Sequence, residues 1–343
     1  MKNVKFIAVS GFFSSGSSAV VDLLKEYKGT YECEAEIRII KDPYGLSQLE
    51  QALTDHWDLL NSAAAIRDYL WLCKICNRSN SNPFSPVGLS YAKKITPQFM
   101  SISKQFIDDI TDFTYKSDFF YQKFKKNYIQ YVMDRWRMGA EFYSHGKLPL
   151  ANRNGELSHF SHPTKEEFQK AASEYLVRLF ENCITDQNEG YVILDQAVST
   201  NDTEPIHKYL GDAKMIIVDR DPRDMYVEDL VRWRENLDKD VSSKEAGLHY
   251  VMRHRALREN IPVDDDSIMT VKFEDLVLDY EYTKTRIEQF VQFDRSNHIR
   301  PYTFLIPEKS ARNIGIWKQY YGQFQDAIDA IKENLEDYCY EGE

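Results

Sequence analysis

The chain lacks any run of about 18 or more apolar residues, the length at which a membrane-spanning helix becomes a candidate. Its N-terminus leads directly into the apolar run from Val4 to Val9. The charged region, apolar region and cleavage site of a signal peptide do not precede that run. We therefore expect a cytoplasmic protein with no integral membrane segment.

Cysteine is scarce, and its five positions are scattered: Cys33, Cys73, Cys76, Cys183 and Cys339. This number and distribution are typical of reduced thiols in a reducing compartment. Cys73 and Cys76 form an isolated CxxC pair without the second pair or nearby histidines that a zinc site needs. His159 and His162 are an equally unsupported pair. The sequence therefore implies no metal.

Positive charge is also in deficit, because 43 Lys and Arg stand against 54 Asp and Glu, which gives a formal net charge of −11. Such a balance excludes a protein that coats nucleic acid. Any site for an anionic ligand must be a local basic pocket within an acidic surface. Hydrophobic residues make up 43% of the chain, enough for a substantial core.

What the sequence does contain is a set of short apolar runs separated by helical patterns. Near-continuous apolar runs are typical of the buried strands of a parallel sheet. The runs are Val4 to Val9, Tyr191 to Leu194, Met215 to Val218 and Ser267 to Lys272. A capping box that opens at Thr164 predicts one of the helices between them. We predict a three-layer α/β/α domain with a central parallel sheet, extending over residues 1–343.

One long stretch, about residues 45–163, breaks this alternation. It has helix-like apolar spacing, a break rich in Asn, Ser and Pro at Asn77 to Pro86, and many aromatic residues. We interpret it as a helical insertion that shapes a ligand site. Most aromatic residues from Phe113 to Tyr143 are expected to pack helix against helix, with a few lining the pocket. They include Phe119, Phe120, Tyr121, Phe124, Tyr128, Tyr131, Trp136, Phe142 and Tyr143.

The first strand leads into a loop of small residues, Ser14-Ser15-Gly16-Ser17-Ser18, followed by a helical pattern from Ala19 to Tyr27. Loop N–H groups and the unpaired N–H groups of a helix N-terminus together form a cradle for an anion. The Walker loop of nucleoside triphosphatases requires Lys after its second glycine, whereas Ser17 follows Gly16 here. The pattern predicts a phosphate site of another kind, or else an ordinary strand-to-helix turn.

A second strand, Lys214 to Val218, ends in the charged turn Asp219-Arg220-Asp221-Pro222-Arg223-Asp224. Pro222 suits the first turn of the helix predicted from Met225 to Trp233. Arg220 and Arg223 would then lie at the carboxyl end of a buried strand, where open α/β sheets bind ligands. Solvated loop charges are the alternative, but two such loops on one sheet favour an anion site.

With these two elements in place, the chain resembles the sulfotransferases that use 3′-phosphoadenosine 5′-phosphosulfate (PAPS). Their 5′-phosphosulfate loop follows the first strand, as residues 14–18 do here, and their Arg-x-Pro-x-Asp turn matches Arg220 to Asp224. Val271 to Asp279 resembles their strand that ends in Tyr-Glu-Asp-Leu, and Ser310 to Lys318 resembles their C-terminal cofactor loop. The resemblance implies the P-loop-like sulfotransferase fold, PAPS as sulfuryl donor, and no metal.

By the same resemblance, ten residues are expected to bind the cofactor: Ser14, Ser15, Gly16, Ser17, Ser18, Arg220, Asp224, Phe273, Arg312 and Asn313. Three positions depart from the family pattern. Ser14 stands where a Lys or Arg is usual, Glu228 stands where a Ser is common, and Phe273 replaces a Tyr. Either another cation stabilises the leaving sulfate, or catalysis has been lost.

The candidate catalytic pair is Glu36 and Arg38. Glycan-type sulfotransferases resemble this chain in placing a carboxylate soon after the first helix, so Glu36 is the expected base and Glu34 the second choice. A buried carboxylate with a raised pKa can remove the proton of an acceptor hydroxyl. If Arg38 shares a face with Glu36, it can supply the cation that Ser14 does not. An ordinary surface ion pair is the alternative.

Asp195 and Gln196 follow the strand that ends at Leu194, so they are expected at the carboxyl edge of the sheet. There they can contact the acceptor substrate, although Asp195 is equally suited to capping a helix. The predicted reaction is transfer of a sulfuryl group from PAPS to a hydroxyl of a saccharide or lipid-like acceptor. A P-loop small-molecule kinase and a catalytically silent nucleotide-binding protein are the alternatives.

Overall fold

The computed structural model of the protein has a five-stranded parallel sheet at its centre. The structure describes residues 2–79, 87–117, 119, 122, 128–145, 147, 156–185, 189–233, 240–262 and 265–340. The described strands are β1 (Asn3–Gly11), β2 (Thr30–Glu32), β3 (Phe113–Ser117), β4 (Glu156–Phe160), β5 (Glu189–Asp195), β6 (Lys214–Asp219) and β7 (Ile268–Lys272). The order in the sheet is β2-β5-β1-β6-β7, whereas β3 and β4 form a separate antiparallel pair.

The middle strand β1 shows why the sequence reads as near-continuous apolar runs. It pairs in parallel with β5 on one side and with β6 on the other, so that Ile7 lies between Ile193 and Lys214. Phe6 and Ala8 contact one hydrophobic cluster, while Ile7 and Val9 contact a second cluster on the opposite face. Both faces of the strand are therefore buried, which requires apolar residues at successive positions.

Helices cover both faces of the sheet. The described helices are α1 (Ser17–Leu24), α2 (Leu46–Glu50), α3 (Leu59–Asn77), α4 (Tyr91–Lys94), α5 (Phe99–Asp109), α6 (Tyr128–Tyr143), α7 (Lys165–Phe180), α8 (Pro205–Tyr209), α9 (Pro222–Glu228), α10 (Ser243–Arg258), α11 (Phe273–Leu278), α12 (Tyr280–Val291), α13 (Pro307–Ser310) and α14 (Trp317–Asn334). Helices α1, α11 and α12 pack on one face, and α3, α5, α7, α10 and α14 contribute to the cluster on the other. The predicted three-layer α/β architecture is confirmed.

Several shorter helical segments complete the chain. Two have π-helical hydrogen bonding, Gln51–Asp55 and Asp229–Trp233. Short 3₁₀ segments occur at Glu181–Cys183, Arg295–Asn297, Ala311–Asn313 and Glu336–Tyr338. The π segment at Asp229 directly continues α9, and such segments are frequent at functional sites.

The stretch between β2 and α7 is only partly helical. Phe113–Ser117 forms β3 and pairs with β4, with the Phe113 ring stacked on Phe160 at 4.7 Å, so the helical interpretation of these five residues was wrong. The alternating sequence Phe-Thr-Tyr-Lys-Ser is a strand pattern that the surrounding helical spacing obscured. The three-residue strand β2 also escaped prediction, because it is too short to show a period.

The aromatic residues of α6 are mostly exposed rather than packed between helices. Trp136 is 68% exposed, and Tyr128, Phe142 and Tyr143 are more exposed still. The expectation of helix–helix packing was therefore wrong for these residues, because α6 keeps most of its apolar surface uncovered by the rest of the described chain. Phe120, Tyr121 and Phe124 lie outside the described residues. Lining of an acceptor pocket by this segment stays a prediction.

The described helices include none that combines the length and the hydropathy needed to span a bilayer. All five cysteines are free thiols. Cys73 and Cys76 lie in α3 and are buried, and their burial raises the pKa of each thiol, to about 11 and about 12. These two residues contribute to the core.

The close approach of α10 and α14 depends on a glycine. A Cβ at Gly247 would lie 2.7 Å from the backbone of Ala327, whereas a Cβ at Gly322 would meet nothing within 4 Å. We expect Gly247→Ala to lower the free energy of unfolding by about 1–3 kcal/mol through overpacking. Gly322→Ala should raise it by about 0.5–1 kcal/mol. Urea unfolding followed by circular dichroism measures both, and equal effects would contradict the packing described.

Candidate donor and acceptor site

The loop after β1 is shaped by two residues with positive φ. Ser14 has φ 57° and Gly16 has φ 80°, and the Ser15 N–H donates to the Phe12 carbonyl oxygen at 3.0 Å. A Cβ on Gly16 would lie 2.7 Å from the ring of Phe273. Only glycine therefore combines the left-handed backbone with this close packing of an aromatic ring on the loop.

The hydroxyl groups of this loop are in different environments. Ser14 Oγ donates to Asp229 Oδ1 at 2.5 Å, and Ser17 Oγ accepts from Gln196 Nε2 at 2.9 Å. Ser15 Oγ is buried and has no hydrogen-bond partner among the described residues, while Ser18 is exposed. Helix α1 begins here without a side-chain cap or an acidic residue in its first turn. A buried hydroxyl and uncapped N–H groups fit an anionic ligand.

Arg220 follows β6 and joins three segments of the chain. Its side chain is 2% exposed. One terminal nitrogen, Nη1, donates to the Ser14 carbonyl oxygen at 2.9 Å and also to the Glu228 carboxylate. The other, Nη2, donates to the Asn313 carbonyl oxygen at 2.5 Å. The first loop, the end of α9 and the C-terminal loop are thus connected through one guanidinium group.

Arg223, which the sequence placed beside Arg220, has a different environment. It pairs with Asp221 at 2.6 Å and stacks over the ring of Trp317 at 4.3 Å. Asp221 also caps α9, because its Oδ1 accepts from the Arg223 N–H at 2.8 Å. Pro222 occupies the first turn of the helix, as predicted. Of the two arginines, only Arg220 contacts the first loop.

Asp224 fixes the C-terminal loop. Its two carboxylate oxygens accept from the backbone N–H groups of Gly315 at 2.7 Å and Trp317 at 2.9 Å. Burial raises the pKa of Asp224 to about 6. In the same loop Arg312 is exposed and forms no ion pair with a described residue, and Asn313 is engaged through its carbonyl oxygen. Asp224 therefore acts as a positioning group, whereas Arg312 has a guanidinium available for a ligand.

Three buried polar atoms around these two loops lack partners within the described part of the chain: Ser15 Oγ, Arg220 Nε and Glu274 Oε2. The first two are hydrogen-bond donors. Burial raises the pKa of the third group, the Glu274 carboxyl, to about 7. Buried polar atoms without partners are uncommon, and this donor set fits the phosphate groups of a nucleotide.

A second group of residues lies at the carboxyl end of β5. Asp195 ends this strand, and its backbone carbonyl oxygen accepts from the Ile37 N–H at 2.8 Å. Oδ1 of its side chain is buried and has no described partner. Burial first, and then the negative charges of Glu36 and Glu32, raise the pKa of Asp195 to about 6. Asp195 therefore has the properties of a general base.

Glu36 and Arg38 contact each other directly, as a shared face predicted, but both are about half-exposed, at 45% and 39%. Arg38 also pairs with Asp42 at 3.5 Å. The Tyr91 hydroxyl donates to the Glu36 carbonyl oxygen at 2.6 Å and accepts from the Arg38 N–H at 2.8 Å, so it holds this segment in place. Among the described residues, Arg38 forms no hydrogen bond or ion pair with the first loop.

Lys41 is a cation that the sequence analysis did not identify. Its Nζ donates to Gln196 Oε1 at 3.2 Å, and Gln196 Nε2 donates to Ser17 Oγ at the start of α1. Burial lowers the pKa of Lys41, and the nearby charge of Arg38 lowers it further. Gln196 has φ 56°. The sequence around Lys41 does not distinguish it from other lysines. Its link to the loop after β1 depends on the packing of residues after β2 against the end of β5.

In the part of the chain that the structure describes, no cluster of three or more His, Cys, Asp or Glu side chains has the arrangement of a metal site.

Comparison with known proteins places this geometry in a family. The model of the sulfotransferase family matches residues 109–296, more than half of the chain, including β6 and β7. No curated protein matches the sequence. Among solved structures, sulfotransferase STF9 from Mycobacterium avium is 13% identical, with a TM-score of 0.38 over 98% of this chain and 76% of that chain.

A second structure is retinol dehydratase in complex with androsterone and the inactive cofactor PAP. It is 16% identical, with a TM-score of 0.34 over 99% of this chain and 82% of that chain.

The chain belongs to the sulfotransferase family, as the match of the family model shows. The prediction of a divergent member of the sulfotransferase family is confirmed.

Proposed function

We propose that the protein transfers the sulfuryl group of PAPS to a hydroxyl of a saccharide or lipid-like acceptor at the carboxyl edge of β1, β5 and β6. The observation that carries the proposal is Arg220, which connects two anion-binding elements on neighbouring strands. The reaction needs an aligned nucleophile and stabilised charge, and little covalent participation by the protein.

The donor would bind across these two elements. Ser15, Gly16, Ser17, Ser18 and the N-terminus of α1 would hold its 5′ end, where PAPS supplies the sulfuryl group. Arg220, Arg312 and the backbone at Asn313 would bind or frame its 3′-phosphate. Two features support this assignment: the donors at Ser15 and Arg220 that lack partners among the described residues, and the exposed guanidinium of Arg312. Phe273 would cover the loop through its contact with Gly16.

The cation that Ser14 does not supply is, in our proposal, Lys41. It is largely buried and reaches the first residue of α1 through Gln196. Arg38, the earlier candidate, already pairs with two carboxylates, Glu36 and Asp42. A positioned ammonium group near the loop can stabilise the negative charge that develops on the leaving phosphate oxygen.

Two carboxylates are candidates for the base, Asp195 and Glu36, and we propose Asp195. Its buried oxygen, which has no partner among the described residues, and its raised pKa suit removal of a proton near neutral pH. Glu36 is more exposed and holds the guanidinium of Arg38. Gln196, which accepts from Lys41 and donates to Ser17, would orient the ammonium group and contact the acceptor.

In this proposal the whole chain forms a single domain. Its insertion, about residues 45–163, would form the acceptor side of the site. Exposed aromatic side chains on α6, such as Trp136, suit either a sugar face or an apolar chain. The cytoplasm is the compartment we propose, because the five cysteines are free.

The experiment that tests the function is calorimetric titration with adenosine 3′,5′-bisphosphate and, separately, with ATP and magnesium. We expect binding of the bisphosphate alone, followed by transfer of radioactive sulfate from PAPS to a member of a panel of saccharide and lipid hydroxyl acceptors. Binding and turnover of ATP without binding of the bisphosphate would contradict the proposal and favour a kinase.

The role of Lys41 can be separated from that of Arg38 by matched alanine variants. We expect Lys41→Ala to lower kcat by about a hundredfold while bisphosphate affinity stays within about twofold, because the charge matters mainly in the transition state. Arg38→Ala should lower kcat by less than about tenfold. Initial rates and calorimetry on both proteins give the comparison, and the reverse order would return the role to Arg38.

The role of Asp195 predicts a pH dependence. A base with a pKa of about 6 must be deprotonated to act, so kcat/KM should rise as the pH increases through about 6 and then level off. Asp195→Asn should lower kcat/KM by about 10²–10⁴-fold and abolish this rise. Glu36→Gln is the matched control and should keep it. Loss of the rise in Glu36→Gln alone would identify Glu36 as the base.

A further inference from the structure

Glu228 brings a negative charge to the part of the site where the proposed function puts the 3′-phosphate. It is the last residue of α9, and its side chain is 11% exposed. One carboxylate oxygen accepts directly from Arg220 Nη1, and the other accepts from Arg232 Nη1 at 2.8 Å. The arginine expected to bind a phosphate therefore already holds an anion that belongs to the chain.

The next residue makes an equivalent contact on the other phosphate element. Asp229 Oδ1 accepts from Ser14 Oγ at 2.5 Å. Two consecutive carboxylates, at the point where α9 changes into a π-helical segment, thus contact the two loops that form the anion site. A change of helix type at such a junction is frequently associated with function.

The charge around Arg220 is balanced without a ligand. Besides Glu228, the carboxylate of Asp224 lies 4.0 Å from Arg220 Nη2. A phosphate monoester carries a charge of about −1.5 to −2 at neutral pH. It would therefore enter next to two carboxylates with a single buried guanidinium between them, unless one carboxylate moved. Asp224 is fixed by two backbone N–H groups, so Glu228 is the one that can leave.

We propose that Glu228 is an internal competitor for the 3′-phosphate of the nucleotide: it pairs with Arg220 when the site is free, and it must release Arg220 for the phosphate to bind. This inference rests on the proposed function. Arg232, whose side chain is 63% exposed, provides a partner for the displaced carboxylate at the solvent side. The consequence is weaker binding of 3′-phosphorylated nucleotides and faster release of the desulfated product.

The substitution Glu228→Gln tests the proposal, because glutamine keeps an oxygen that can accept from Arg220 and removes the charge. Calorimetry with adenosine 3′,5′-bisphosphate should show an affinity at least about tenfold higher than that of the wild type. Affinity for adenosine 5′-monophosphate, which lacks the 3′-phosphate, should change by less than about twofold. Stopped-flow displacement should show slower dissociation of the bisphosphate.

Two further variants keep the test decisive. Glu228→Ser removes the charge with a small side chain and should strengthen bisphosphate binding in the same direction if Glu228→Gln does not fold. Arg232→Gln removes the solvent-side partner but leaves the Glu228–Arg220 pair, and should weaken bisphosphate binding. Thermal unfolding of each variant without ligand confirms that the folded proteins are being compared.

The outcomes separate this proposal from the proposed function. Unchanged or weaker bisphosphate affinity in folded Glu228→Gln and Glu228→Ser, with the wild type binding the bisphosphate, overturns the role of Glu228 and leaves the nucleotide site intact. An equal gain for the monophosphate also overturns it, because the effect would not concern the 3′-phosphate. Failure of the wild type and of the variants to bind either nucleotide overturns the proposed function together with this inference.

Discussion

The structure depends on the buried guanidinium of Arg220. Burying a charged group is costly unless it is paired, and here the partners of the two terminal nitrogens come from three different segments. The Ser14 carbonyl oxygen belongs to the first loop, Glu228 to the end of α9 and the Asn313 carbonyl oxygen to the C-terminal loop. The contact that holds these segments together therefore involves the same guanidinium that we propose as the phosphate ligand.

Other arginines near Arg220 are used for structure. Arg258 pairs with Asp219 at 2.5 Å and lies over the ring of Phe12, and Arg223 pairs with Asp221. The guanidinium groups of Arg258 and Arg223 are each neutralised by a neighbouring carboxylate, which agrees with a chain whose acidic residues outnumber its basic ones. In our proposal, binding of an anion then depends on the few groups that keep hydrogen-bond donors without partners among the described residues. Replacing one carboxylate partner of such a group can change the affinity for the anion substantially.

Four strands of the sheet and the turns after β1 and β6 could be predicted from the sequence, because their signals are local. Four of the five sheet strands coincide with apolar runs, and Gly16 and Pro222 mark turns with specific backbone requirements. Strand β2 and the β3–β4 pair could not be predicted in this way. Their pairing partners are distant in the chain, and the local pattern is either too short or masked by neighbouring helical spacing.

The candidate catalytic groups were predictable only where the strand ends marked them. Asp195 ends β5 and Gln196 follows it, so their place at the sheet edge follows from the topology. Lys41 lies on an irregular segment, and it reaches Ser17 only because Gln196, at positive φ, turns its amide between the two. The loop has no cation of its own, and tertiary packing links it to the ammonium group of Lys41 through Gln196. Local sequence therefore constrains the loops after β1 and β6 more strongly than the irregular segment that carries Lys41.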